Sequence, residues 1–533
     1  MAKPKSNAQM RLDSAHVYDD AEGIPEDDWC RLFFEHVYCA FDDADFADMY
    51  ETLGRPPISP SQLASITILQ SMQKVSDREA IKATIRWRDW RIALGISPDY
   101  KGFDPTVLVR FRQRLLRNGR ERELFQTVLG QIEQLGLLKK RRKLRVDATS
   151  LIANVAYLSR GDVIAEAIRV VVASLAKRYP KLLRRGPLYR LHRKYGEEIW
   201  VGLGGSGEQR LRRLGRDGFA VLELCEEREV SGRATLEQIL EEHFILDEGD
   251  DEPKVRPEKE LDKDRIVTPH EPDVRVGTKR NKSWIGDKVH IVETADKGRT
   301  NFITDVLVTG PRVDDSRMIE PIVERVRSGP IEGATLLADG GYSSAGNTKV
   351  AAAEGIDLVS PPRPDTSNVK VPASEFEFDF EREVARCPEG HTSSYWRQAE
   401  RVIVIRFATA TCRSCPRWAE CTNKKQGRSL SISKDYEQLA LDRARAKTPE
   451  FAELYKARSG VEGTFSELVH RCGLRRSRYR GAAKRELHAV LCATGLNVVR
   501  LLRCLASGDG QDEGPFAFFW WLLRGCRPAA MAC

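Results

Sequence analysis

The sequence holds no apolar run close to the ~20 residues that a membrane-crossing helix needs. Its start, Met1-Ala2-Lys3-Pro4-Lys5, lacks the apolar core of a secretory leader. Export and membrane spanning are therefore not expected, and the reading is a cytoplasmic protein. The late run from Phe516 to Leu523 is too short to cross a bilayer. A phosphate loop is missing as well, because Gly202-x-Gly204-Gly205-x-Gly207 lacks the Lys-Ser/Thr that would grip a nucleotide, and it reads as a flexible turn. No internal repeat is evident. Charge of one sign is scarce: the net charge is only +8, so a polyanionic partner must be argued from local clusters. Twelve cysteines in a chain with no export signal do not read as a disulfide framework.

What is present describes a soluble globular chain of two or three domains: 533 residues, 41% hydrophobic and 31% charged. Basic residues gather at Arg141 to Arg145, Lys177 to Lys194, Arg210 to Arg216 and Arg471 to Arg485, and such clusters suit a phosphate backbone. Cysteine is unevenly spread. Cys387, Cys412, Cys415 and Cys421 fall within Cys387-Pro388-Glu389-Gly390-His391 and Cys412-x2-Cys415-x5-Cys421, and a two-residue spacing lets two thiolates grip one tetrahedral zinc ion. The expectation is a zinc site with His391 as a substitute ligand, or else four reduced thiols. Cys30, Cys225 and Cys492 are isolated and read as small buried hydrophobes.

Three carboxylates carry the chemistry. Asp147 closes the alternating stretch Lys143-Leu144-Arg145-Val146, a strand entering a sheet. Asp339 follows the apolar run Ala334 to Ala338 and precedes Gly340-Gly341, where the backbone can turn sharply. Both would emerge at strand ends, where open sheets bind ligands. Glu462 lies on a helix opened by Thr448-Pro449, with Phe451, Leu454, Val461, Phe465 and Leu468 at helical spacing. At 3.6 residues per turn, Tyr455, Arg458 and Glu462 share one side of that helix. Taken singly, each has an ordinary role, a turn former or a surface ion pair; it is their order along the chain that points to divalent-ion phosphodiester chemistry.

In that order the motifs resemble a known family, the DDE-type transposases of bacterial insertion sequences. Tyr455-x2-Arg458-x3-Glu462 resembles the signature around the family's catalytic glutamate. Val146-Asp147-Ala148-Thr149 and Ala338-Asp339-Gly340-Gly341-Tyr342 resemble its two aspartate motifs. Trp284 to His290 is similar to the second core strand, and Asp314-Asp315-Ser316 to the start of the helix before Asp339. The resemblance spans roughly residues 55 to 505, in the branch with an N-terminal helical domain and a cysteine cluster before the glutamate. It implies an α/β ribonuclease H-like catalytic core with insertions, preceded by an all-helical domain. It also implies two Mg²⁺ (or Mn²⁺) ions held by Asp147, Asp339 and Glu462, with Asp147 shared and Tyr455 and Arg458 beside them. Transposon ends and target DNA would be the partners of a homo-oligomer, and the reaction would be strand cleavage and transfer. A ribonuclease H-like nuclease without strand transfer, and a DNA-binding regulator derived from a transposase, are the alternatives. One departure stands out: the superfamily's lysine seven residues after the glutamate is Val469 here, with His470 and Arg471 as candidate substitutes.

The expected layout is a helical DNA-binding or self-association domain over 1–140, the catalytic domain over 141–509 and a tail over 510–533. Insertions are expected at about 157–275 and 364–448. Residues 1–54 are acidic and aromatic, ahead of helices that start at the capping boxes of Ser59 and Ser76 and at Asp104-Pro105. The second of these helices would carry Arg86 to Arg91, with Trp87 and Trp90 in the core. Asp314 and Asp315 read as helix caps. Arg471, Arg475, Arg476, Arg478 and Arg480 are the candidate DNA-binding residues, with Tyr479 able to stack on a distorted DNA end.

Overall fold

The structure, a computed structural model, describes residues 21–51, 57–138, 143–196, 207–246, 252–279, 281–328, 334–364, 370–400, 402–422 and 425–507. The tail over 510–533, the Gly202 to Gly205 turn and Arg141-Arg142 of the first basic cluster lie outside the described residues. The N-terminal part is built from α1 (Trp29–His36), α2 (Pro60–Gln73), α3 (Asp77–Arg86), α4 (Arg88–Leu94), α5 (Thr106–Arg117) and α6 (Glu123–Gln134). Order thus begins well before Ser59: α1 is capped by Asp28 and buries Trp29, Phe33 and Phe34. Ser76 and Glu79 form the reciprocal capping box. The helix expected to run through Arg86–Arg91 breaks at Trp87, whose extended backbone separates α3 from α4. Trp90 is fully buried and donates to Gln73, whereas Trp87 is 40% exposed, so only one of the two indoles is core.

The central sheet follows. β1 (Lys143–Ile152) leads to a four-helix insertion, α7 (Arg160–Arg178), α8 (Pro187–Tyr195), α9 (Gly207–Glu223) and α10 (Arg233–His243), which closes its own apolar core around Ile164, Ile168, Leu236 and Cys225. A short hairpin, β2 (Phe244–Ile245) with β3 (Lys254–Val255), ends it. Then come β4 (Arg275–Lys279), β5 (Lys282–Thr294), β6 (Ile303–Thr309), α11 (Ile319–Arg327), β7 (Thr335–Ala338), α12 (Ala345–Ala353) and β8 (Asp357–Val359). The sheet order is β4-β5-β1-β7-β8, with β6 also on β5. β5 is antiparallel to β1, β4 and β6, while β7 is parallel to β1 and to β8. β4 is an addition to the expected strands. Apolar residues of β1, β7 and β8 pack under α11 on one face.

A second insertion carries β9 (Glu377–Asp379), β10 (Val384–Arg386), β11 (Tyr395–Gln398), β12 (Val402–Arg406), α13 (Thr409–Arg413), α14 (Trp418–Cys421) and β13 (Ser429–Ser433). The chain returns to the sheet through α15 (Tyr436–Arg445), α16 (Pro449–Lys456), α17 (Val461–Glu467) and α18 (Ala482–Ala506). The helix expected to run from Thr448 past Glu462 is composite: a 3₁₀ turn, Ala457–Gly460, separates α16 from α17, and a π turn, Leu468–Cys472, follows. Arg145 explains the break, since its guanidinium donates to the Ala457 carbonyl at 2.8 Å, and a Cβ on Gly460 would lie 2.0 Å from Arg145 Nη1.

Contrary to the expectation that no stretch approaches membrane-spanning length, α18 is long and apolar enough to cross a membrane, with mean hydropathy 1.6, yet 83% of that stretch is buried inside the fold. It is a core helix. Leu487, Leu491, Val498 and Leu502 sit in one apolar cluster with Phe33, Leu63 and Phe111, so the N-terminal helices close their core on the C-terminal helix. Asn497 of α18 both accepts from Ile303 N and donates to Ile303 O, pinning the helix to β6.

Charge is buried at the same joint. Glu293 of β5 is fully buried and accepts from Arg145 at 2.7 Å, from Arg500 at 3.1 Å and from the Thr464 hydroxyl at 2.7 Å. Removing one partner of such a cluster leaves uncompensated charge, so Glu293→Ala is expected to cost about 3–5 kcal/mol, read as a lowered denaturant midpoint. Acid should act on three buried histidines. Burial and nearby cations push His243 down to about 3, while burial is the main cause that brings His290 and His488 down to about 4. Their folded pKa lies below the unfolded value of 6.5, so the stability they contribute is whole above pH 6.5 and is lost as pH falls toward 4. The loss is on the order of 3 kcal/mol for each of His290 and His488. Equilibrium unfolding followed from pH 7 downward should show this decline, and a flat profile to pH 5 would reject it.

Candidate active site

Period-2 alternation decides which way the aspartates face. Leu144 and Val146 enter the core under α11, so Arg145 and Asp147 point to the opposite face, toward α16 and α17. Parallel pairing sets Val146 opposite Ala338, which puts Asp147 and Asp339 side by side, each one residue past the last pair of β1 with β7. Asp339 follows the end of β7 as expected, but Asp147 is not at a strand end, because β1 continues to Ile152 along its antiparallel partner β5.

Arg458, on the 3₁₀ turn, holds the centre. Its guanidinium lies 2.5 Å from Asp147, 3.8 Å from Asp339 and 3.8 Å from Glu462. Asp147 and Arg458 are largely buried, Asp339 is half-buried, and Glu462 is 75% exposed at the rim. Burial raises the Asp147 carboxyl above its ordinary value, and Asp339 adds to this, against the pull of Arg458 and the Ala148 N–H. Burial, with help from Asp339 and Asp147, likewise raises the Tyr455 phenol. Tyr455 stacks on Phe451 at 5.8 Å and packs near Leu337 and Val359. Three carboxylates around one guanidinium leave two net negative charges and several hard oxygen donors, a set that fits divalent cations. Among the described residues, no group of three or more His, Cys, Asp or Glu side chains is already gathered as a metal site.

The loop after β7 is fixed by neighbours the motifs did not reveal. Gly341 N donates to Asp339 Oδ1 at 2.8 Å, and the Ser360 hydroxyl donates to the Asp339 carbonyl at 2.7 Å. His290 Nδ1 lies 2.7 Å from the hydroxyl of fully buried Tyr342, which joins β5 to this loop. Arg145, Glu293, Thr464 and Arg500 are the other residues missed. For Glu293 the signal was a charge within an otherwise apolar strand, which burial permits only with a partner; Arg145, within a basic run, and Thr464 and Arg500, on α17 and α18, carried no such mark. Asp314 caps the turn into α11 by accepting from Ser316 N, and Asp315 pairs with Lys288 at 2.6 Å. Beside Gly341 opens a cleft of about 630 Å³ lined by Lys263, Lys288, Arg312, Arg363, Asp314 and Asp315.

The basic clusters divide. Arg485 is fully buried among Glu271, Asp273 and Asp287, so it belongs to the interior, as does Arg145. Arg178, Lys194, Arg210, Arg212 and Arg216 each pair with a carboxylate on their own insertion, which reduces the net field of that surface. Arg475 is tied to β1 through Thr149 and Ser150, and its segment bridges to Ile152. Tyr479 packs under Arg112 and against His488, so its ring is not available to stack on DNA. Arg476, Arg478 and Arg480 remain exposed, Arg478 donating to the Val75 carbonyl. Val469 and Arg471 are half-buried, while His470 is exposed.

Comparison with known proteins follows the same outline. Residues 386–502, which contain Glu462, match the family described as "Transposase DDE domain". Residues 20–114 match "Transposase domain (DUF772)". No curated protein matches the chain. A solved structure, the cryo-EM piggyBac transposase synaptic complex with hairpin DNA, aligns at 9% identity and a TM-score of 0.30, covering 94% of this chain and 82% of that one, a likeness too remote to inform the fold. A transposase domain matched in the N-terminal helices and a transposase DDE domain matched around Glu462 together indicate an insertion-sequence transposase of the DDE type.

Proposed function

We propose that this transposase binds the ends of its element and performs strand cleavage and strand transfer at Asp147, Asp339 and Glu462. The observation that supports it most is the Arg458 guanidinium within 4 Å of all three carboxylates, which three separate segments of the chain supply. The sheet supports a ribonuclease H-like reading: along β6-β5-β1-β7-β8, three antiparallel strands are followed by two parallel ones.

DDE transposases generally use divalent metal ions. Asp147, Asp339 and Glu462 would hold Mg²⁺ or Mn²⁺, which when bound polarises the scissile phosphate and activates a water or a 3′-hydroxyl. The chain's own residues do the rest. Arg458 keeps mutually repelling carboxylates together in a partly buried site, and its reach to Glu462 ties the rim to the two aspartates. Tyr455 walls the site on the α16 side. Glu462, the most exposed of the three, is the carboxylate best placed to adjust as DNA enters. Lys263, Arg312 and Arg363 line the adjacent cleft and suit a phosphate backbone. Arg476 is the residue that bridges to Ile152, with Arg478 and Arg480 just after it; Ile152 is five residues along β1 from Asp147, or roughly 17 Å at the rise of a strand. That distance matches phosphates roughly five base pairs from the cleaved bond.

Asp147→Asn, Asp339→Asn and Glu462→Gln are each expected to lower cleavage and joining by at least roughly 100-fold, the scale of losing one electrostatic group at a reacting centre. End binding, measured by fluorescence anisotropy, should remain close to wild type. Normal joining by any one variant removes that residue from the site, and cleavage without joined products in the wild type would mark a nuclease. Replacing Arg476, Arg478 and Arg480 by alanine should flatten the dependence of log K on log salt by roughly 0.9 for each phosphate no longer neutralised. Arg475→Ala should instead lower thermal stability, since its hydrogen bonds are to β1.

A further inference from the structure

Cys387, Cys412, Cys415 and Cys421 come from separate segments of the second insertion, yet all four line one closed cavity of about 30 Å³. Cys387 follows β10 and opens a turn closed by Gly390 N donating to the Cys387 carbonyl at 2.8 Å, with Gly390 at φ +81°, a conformation that favours glycine. Cys412 lies on α13 and Cys415 just past it, the two joined by a Cys415 N to Cys412 O bond of 3.1 Å, and Cys421 ends α14. The cavity is about the volume one water takes in the liquid.

Arg428 provides a second, independent observation. Its backbone N–H donates to Cys412 Sγ at 3.4 Å, the kind of bond that favours a thiolate sulfur. Its side chain lines the same cavity, holds the Cys421 and Val371 carbonyls, lies over the Phe376 ring, and has a buried Nε with no hydrogen-bond partner. A guanidinium there would offset the negative charge of a four-thiolate metal centre.

We propose that these four cysteines bind one structural zinc ion. Soft thiolates select zinc over the hard ions suited to carboxylates, and four donors close a tetrahedral shell. His391 also borders the cavity, but it is exposed and four thiolates already complete a tetrahedral shell, so the proposal does not need it as a ligand. All four cysteines are free thiols and not yet gathered to coordination distance, so binding needs side-chain rotation around a cavity whose backbone is already placed. The insertion needs such a tie. Its apolar core is small, centred on Phe376, Ile405, Phe407 and Ile432, and its two sheets are separate. Zinc would join the β9–β10 sheet to the helices that flank β12 and β13.

The tie reaches further. α15 leaves this insertion and is anchored on α12 and β8 by Lys349 to Asp435, by Thr348 to Asp442, and by Arg445 to Asp357. It then runs into α16 and the segment bearing Glu462. The zinc assignment itself does not rest on the proposed catalytic reading.

The full chain, purified without chelator, should carry about one zinc by elemental mass spectrometry. Cobalt exchange should give a thiolate-to-cobalt charge-transfer band, which carboxylate-bound metal would not. Cys412→Ser/Cys415→Ser should lose the zinc, and His391→Ala should keep it. In case the double variant fails to fold, differential alkylation of wild type serves: Cys387, Cys412, Cys415 and Cys421 should be protected until a chelator is added. Folded protein with no zinc, no cobalt band and the four thiols freely alkylated would overturn the proposal, as would full zinc content in the double variant.

Discussion

The Glu293 carboxylate is the constraint on which the arrangement of the site depends. Buried on β5, it must be neutralised, and its cations and hydroxyl come from β1, α17 and α18. Arg145, once recruited, uses its remaining hydrogen-bonding capacity on the Ala457 carbonyl, which bends the helix into a 3₁₀ turn at Gly460. That turn aims Arg458 between Asp147, midway along β1, and Asp339, just past the end of β7. A structural ion cluster therefore fixes the position of a second, more exposed one. The first holds its charges out of water; the second keeps oxygen atoms in contact with solvent, as a site open to a phosphate requires.

Much of this was legible in residues. Alternation in Lys143 to Ser150 and the apolar run before Asp339 marked two strands, and the structure extends β1 only to Ile152. The helices near Ser316 and Lys484 stand close to where helical spacing put them. The failures have particular causes. Trp87 looked like a helix interior because its residue type does not oppose helix; in the structure its backbone is extended and its ring meets that of Trp90, three residues on, edge-on at 6.0 Å. The ordering of Trp29 to Met49 was invisible because its aromatic residues find their partners on distant helices. Arg145 and Arg485 looked like phosphate ligands because charge runs carry no mark of burial, and only the sheet shows Glu293 and Asp287 opposite them.

The three carboxylates were legible by order along the chain, but the role of Arg458 was not. Helical spacing put it beside Glu462, whereas its shortest contact is to Asp147, 311 residues earlier in the chain. The parallel register of β1 with β7 does most of the assembly here. A shift by one residue would turn Asp339 into the core under α11.

α18 shares a single apolar core with the helices between Trp29 and Gln134, so the earliest described part of the chain waits for the latest. During synthesis those helices emerge with Phe33, Leu63 and Phe111 uncovered, and several hundred residues must follow before Leu491 and Val498 arrive. Asn497 closes the edge of β6 in the same step. A chain that stops between Asp339 and α18 therefore holds both aspartates but lacks the helix that completes the core around them.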